Sequence, residues 1–146
     1  MDVIIIEIGA RRCAVDLAAV EEVIPLGPIT PVHSAPAMVV GAMNVRGQVC
    51  PVLHLERVEG LECAAPRLPR RGQAGLLICA DGYHAVLYAR RIGEVVRAQS
   101  GPATGAAAGP VSARLATELG EMDLLDLDRV LNDCAAQMNA AADARA

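Results

Sequence analysis

Leu53-His54-Leu55-Glu56-Arg57-Val58 and Leu125-Asp126-Leu127-Asp128-Arg129-Val130 match at four of six positions across an offset of 72 residues (127 − 55). The same offset (94 − 22) aligns Val20-Glu21-Glu22-Val23-Ile24 with Ile92-Gly93-Glu94-Val95-Val96, identical at Glu22/Glu94 and at Val23/Val95. Two separate segments that agree on one offset are hard to attribute to shared β-composition, so the pattern implies an internal duplication. It predicts a single domain over residues 1–138, with halves of about 1–72 and 73–138. Residues 139–146 lack apolar anchors and are expected to form a disordered tail.

Working outward from the repeat, each half opens on strand signals. Val3 to Ile8 is rich in isoleucine, and Gly9-Ala10 offers a two-residue loop before Arg12 to Leu17. Asp16 is placed to cap one helical turn through Val20, after which Glu22-Val23-Ile24 resumes an extended run that ends at Pro25. In the second half Gly75 to Ala80 is apolar, Asp81-Gly82 is a type I′ turn signal, and Tyr83 to Ala89 returns as a strand. About 70 residues of short strands and tight turns suit a small closed barrel better than a two-sheet sandwich. The expectation is therefore all-β, with one barrel per half and an apolar seam between them. Pro36 to Val49 has no evident counterpart, because the equivalent stretch follows the small-residue run Ser100 to Pro110, which reads as a mobile loop. From Leu127 to about Met138, Leu127, Val130, Leu131 and Cys134 fall on one face of a short helix.

Composition excludes several function classes. The chain is 53% apolar, yet no run approaches the roughly 18 uninterrupted apolar residues of a spanning helix, so direct membrane insertion is not expected. Met1-Asp2 leads straight into Val3-Ile4-Ile5-Ile6 without a basic segment or cleavage site, and a cytoplasmic location is expected. The five cysteines, Cys13, Cys50, Cys63, Cys79 and Cys134, form no C-x-x-C pair and read as reduced thiols. A net charge of −4, with no Phe or Trp and only Tyr83 and Tyr88 as aromatic rings, argues against nucleic acid, which needs clustered cations and stacking platforms.

Gly41-Ala-Met-Asn-Val-Arg-Gly-Gln-Val-Cys-Pro-Val-Leu-His-Leu55 resembles the N-L-R-G-x-V-x-P-V-x-D-L motif of CheW-like domains, with Asn44, Arg46, Gly47, Val49, Pro51, Val52 and Leu55 matching. Val20-x-Glu22-Val23, the proline loop around Ile29 to Pro36, and Leu124-Leu-Asp-Leu-Asp-Arg-Val130 are similar to further family motifs in order and spacing. The resemblance covers about residues 3 to 134. It implies two SH3-like five-stranded β-barrels with a short C-terminal helix. It also implies a non-enzymatic adaptor between the cytoplasmic tips of methyl-accepting chemoreceptors and the regulatory domain of a CheA-type histidine kinase. On that reading Asn44, Val45, Arg46 and Gly47 face the receptor, Glu22, Val23 and Ile24 face the kinase, and no cofactor or metal is required. The chain departs from the pattern at Val45, usually Leu, at His54, generally Asp, and at Arg90, often Asp.

The residues themselves leave alternatives. Arg46 lies between Asn44 and Gly47, which tolerate a left-handed turn, so it projects for recognition or pairs internally with a carboxylate such as Glu22. Val23 and Ile24 also read as barrel core, the commoner fate of alternating aliphatic residues. Cys50 and His54 share a strand face but stand about 13 Å apart, beyond hydrogen-bond reach. Cys79 and His84 fall opposite each other in the second hairpin, a half-set of metal ligands with no third in view. There is no G-x-S-x-G, phosphate loop or H-E-x-x-H. Two other functions stay open: a small thiol- or metal-dependent enzyme using Cys79, His84 or Cys50, and a kinase-binding domain that does not engage receptors.

Overall fold

A computed structural model describes residues 1–63, 66, 68–80, 82–100 and 109–143. Ten strands are followed by one helix: β1 Asp2–Ile8, β2 Arg11–Asp16, β3 Val20–Pro25, β4 Val39–Val45, β5 Gln48–His54, β6 Ala74–Ala80, β7 Tyr83–Tyr88, β8 Arg91–Ser100, β9 Val111–Thr117, β10 Gly120–Leu125 and α1 Leu127–Asp143. The local expectations hold at both hairpins. The Asp16 carboxylate accepts from the Ala18 N–H at 3.0 Å and caps a single 3₁₀ turn, Leu17–Ala19. The helix runs five residues past Met138, to Asp143, with Leu127, Val130, Leu131 and Cys134 all buried on the expected face. Asp81, most of the Ser100 to Pro110 run and residues 144–146 lie outside the described residues.

The strands form two five-membered sheets, a closed barrel β1-β2-β10-β9-β8 and a second sheet β3-β6-β7-β5-β4. Neither coincides with a half of the sequence, which corrects the expectation of one barrel per half. The barrel takes its β1–β2 hairpin from the first half, and the second sheet takes its β6–β7 hairpin from the second. Both sheets nevertheless share one order when each strand is matched to the strand five places on, and β4 is then the counterpart of β9, so the stretch around Val39–Val45 has an equivalent after all. In each sheet the leading hairpin, β1–β2 or β6–β7, thus stands with the last three strands of the other half.

Core packing explains the exchange. Val3, Ile5 and Ala14 point into the barrel with Val96, Leu115 and Met122, whereas Ile4, Ile6, Ile8, Cys13 and Val15 point the other way. There they meet Leu76, Ile78, Ala85 and Leu87 of β6 and β7, together with the buried face of α1. Leu77, Val86 and Tyr88 of that second hairpin fill the inner face of the second sheet with Ile24, Leu26, Met43, Cys50 and Val52. The traded hairpins are thus buried on both faces over much of their length, which is why β1 and β6 read as nearly continuous aliphatic runs. Each buried Leu or Ile contributes on the order of 1.5–3 kcal/mol, so this seam is the main bond between the sheets.

The second sheet does not close. In the barrel, Ala98, Gln99 and Ser100 at the end of β8 pair with β9. β3 stops at Pro25 and is followed by Gly27 and Pro28, so the equivalent positions cannot continue a ladder toward β4. Instead Thr30 exchanges both backbone hydrogen bonds with Ala42 at 2.8 Å.

Candidate functional site

The β4–β5 hairpin turn is built by two left-handed residues, Arg46 at φ 51° and Gly47 at φ 86°. The Gly47 N–H donates to the Asn44 side-chain oxygen at 2.7 Å, which fixes the turn. The Arg46 guanidinium, 70% exposed, pairs with the Glu22 carboxylate, 40% exposed, across the open edge between β3 and β4. Arg46 is therefore paired internally, as one of the two readings has it, and its side chain remains accessible. An exposed pair of this type contributes only about 0–1 kcal/mol, so its consequence is to hold the turn against β3 rather than to stabilise the fold. At the matching positions of the closed barrel stand Glu94 and Glu118, two carboxylates, where strand pairing does the closing.

The two groups of candidate residues thus meet at one seam. Val23 is 49% exposed and Val49, just beyond the turn, is 71% exposed. Ile24 is corrected: it is 7% exposed and belongs to the inner core of the second sheet, so among the three β3 candidates Glu22 and Val23 reach the surface.

The three His54, Glu56 and Arg90 side chains form a second cluster, between the sheets. The fully buried Glu56 carboxylate receives the Arg90 Nη2 at 2.8 Å and the Gly9 N–H at 2.9 Å, with His54 Nε2 at 3.7 Å. His54 Nδ1 accepts the Glu56 N–H at 3.2 Å, capping the 3₁₀ turn Leu55–Arg57, and its ring meets Tyr88 edge-on at 4.8 Å. His54 and Arg90, the two departures from the pattern, both converge on Glu56. Sequence reading missed Glu56; the paired departures were its only signal.

Cys50 and His54 do not meet: Cys50 lies in the inner core and its thiol pKa is raised by burial and then by the charge of Glu21. Burial likewise raises the thiols of Cys13 and Cys134. Cys79 and His84 are opposite partners in the β6–β7 ladder, as the hairpin spacing predicts. Sequence reading missed their neighbour Glu21, whose carboxylate lies 3.2 Å from His84 Nε2.

Comparison with known proteins agrees with this architecture. Residues 2–134 match the family model of the CheW-like domain. A stretch of 65 residues is 34% identical to a chemotaxis protein CheW of Rhizobium meliloti (strain 1021), covering 44% of this chain and 42% of that relative. The crystal structure of the scaffolding protein TtCheW from Thermoanaerobacter tengcongensis superposes with a TM-score of 0.70 at 19% identity, over 86% of this chain and 88% of that one. Among the described residues, no helix is long and apolar enough to cross a membrane.

Proposed function

The chain belongs to the CheW-like domain family, and from that premise we propose that it is a cytoplasmic, non-enzymatic adaptor that couples chemoreceptors to a CheA-type histidine kinase. The observation that carries the reading is the open seam of the second sheet. There the Asn44–Gly47 turn, assigned to the receptor tip, is tied by the Arg46–Glu22 pair to the β3 surface of Glu22 and Val23, assigned to the kinase regulatory domain. An adaptor needs exposed apolar area with a polar rim; Val23 of β3 and Val49 of β5 are exposed aliphatics, and Arg46 and Glu22 are accessible charged groups at the same open edge. Coupling requires no chemistry: an adaptor that holds both partners in a fixed geometry lets receptor state bias the conformational equilibrium of the kinase.

A pull-down with a receptor-tip fragment and a kinase regulatory domain tests this, using wild type, Arg46→Glu, Glu22→Arg and the double variant, each checked for folding by circular dichroism. Wild type is expected to bridge both partners, and Arg46→Glu to lose the receptor fragment. Recovery in the charge-swapped double variant assigns Arg46 to holding the turn, and no recovery assigns its guanidinium to the receptor contact. Wild type that binds the kinase alone supports a kinase-sequestering domain instead, and wild type that binds neither refutes coupling.

A further inference from the structure

We propose that Glu21, Cys79 and His84 form a Zn²⁺ site at the mouth of the second sheet, with three protein ligands and a fourth position open to water or to a partner's side chain. A carboxylate oxygen, the thiol sulfur and an imidazole nitrogen of these residues all lie within 4.8 Å of one another. Donors on a tetrahedral zinc, at about 2.0–2.3 Å from the ion, stand roughly 3.3–3.7 Å apart, so His84 Nε2 and Glu21 at 3.2 Å are already at coordinating separation. The sulfur needs only a side-chain adjustment.

The backbone brings these three together for separate reasons. Cys79 and His84 are directly paired across the β6–β7 hairpin, on the face that Leu77 and Val86 turn toward the inner core. Glu21 comes from β3, where the register jumps between Val20↔Ile78 and Glu22↔Leu77. That bulge inserts Glu21 as the extra residue, and bulges re-aim side chains in this way. The expectation that Cys79 and His84 lack a third ligand is thereby corrected.

A further contact orients the imidazole. The Gln48 side-chain amide lies 3.5 Å from His84 Nδ1. The amide nitrogen of Gln48 is the atom that faces the ring; a flip of the amide, which exchanges its nitrogen and oxygen, lets Gln48 accept the Nδ1–H and leaves the His84 Nε2 lone pair for a metal. The donor set selects the ion: sulfur with nitrogen favours zinc over magnesium or calcium, which take all-oxygen shells. On binding, the Cys79 thiol gives up its proton, and thiolate plus carboxylate neutralise the divalent charge. Gln48 follows Gly47 directly, so the site adjoins the Asn44–Gly47 turn.

The test uses the full chain, stripped of metal and kept reduced, titrated with Zn²⁺ against a chromophoric chelator and separately loaded with Co²⁺. One Zn²⁺ per chain is expected, with a thiolate-to-cobalt charge-transfer band in the near ultraviolet. Cys79→Ser, His84→Ala and Glu21→Gln should each weaken binding by more than tenfold, and Gln48→Ala by about tenfold. Cys63→Ser should retain both affinity and band. Absence of a stoichiometric site, absence of the thiolate band, or undiminished binding in folded Cys79→Ser, His84→Ala or Glu21→Gln overturns the proposal.

Discussion

Replacing Arg90 by methionine removes a guanidinium from a carboxylate that water does not reach. Glu56 is 1% exposed, and its carboxylate would keep the Gly9 N–H at 2.9 Å and the neighbouring His54 ring but lose the cation at 2.8 Å. Breaking a buried ion pair from one side costs roughly 3–5 kcal/mol. The Arg90 side chain is 25% exposed, which admits some solvent, so the low end applies, about 3 kcal/mol. For a chain of this length 1 kcal/mol moves the melting temperature by about 4 °C, so Arg90→Met should melt roughly 10 °C below wild type in circular dichroism. Glu56→Gln added to Arg90→Met neutralises the stranded charge and should recover about 1–2 kcal/mol, a coupling that a double-mutant cycle reads directly. An Arg90→Met protein melting within a few degrees of wild type, or no recovery on adding Glu56→Gln, would refute the account of Glu56 as a buried charge held by Arg90.

Four further outcomes follow from particular positions. Gly41→Ala places a Cβ 2.5 Å from the Thr30 carbonyl oxygen and 2.6 Å from Ile29 Cγ2. It should cost about 1–3 kcal/mol and speed amide exchange at Thr30 and Ala42, and unchanged exchange there would count against a tight backbone approach. In Gly47→Ala the added Cβ meets nothing within 4 Å, so only the left-handed backbone opposes it; a loss of about 1–2 kcal/mol in urea unfolding is expected, and none would argue that the turn relaxes freely. With a disulfide reagent at mildly alkaline pH and a chelator present, Cys63 and Cys79 should react first, because the buried Cys13, Cys50 and Cys134 hold their protons above the ordinary thiol pKa of 9.0. The folded state binds those protons more tightly than the unfolded, so stability should fall as pH rises above 9.0; equal labelling of all five thiols in the folded chain would contradict this.

Much of this molecule is legible in local sequence. The isoleucine-rich opening, Gly9-Ala10, the Asp16 cap, the Pro25 stop and the apolar face from Leu127 to Cys134 each act over a few residues through turn chemistry, capping or periodicity, and each appears where that chemistry puts it. The Asn44–Gly47 turn and the facing of Cys79 by His84 belong to the same class, because a tight hairpin fixes its own register. Tertiary structure alone decided what lies between the hairpins. Ile4 to Ile8 and Leu76 to Ile78 announce strands buried on two faces, but an aliphatic run does not encode which half of the chain supplies the other strands, and the hairpins were exchanged. Glu21 turned toward His84 through a bulge in long-range pairing, and Glu56 was buried by residues 34 and 47 positions away, Arg90 and Gly9. The sequence carries patterns set by short-range sterics; strand partners, buried charges and ligand clusters depend on which distant surfaces meet when the seam closes.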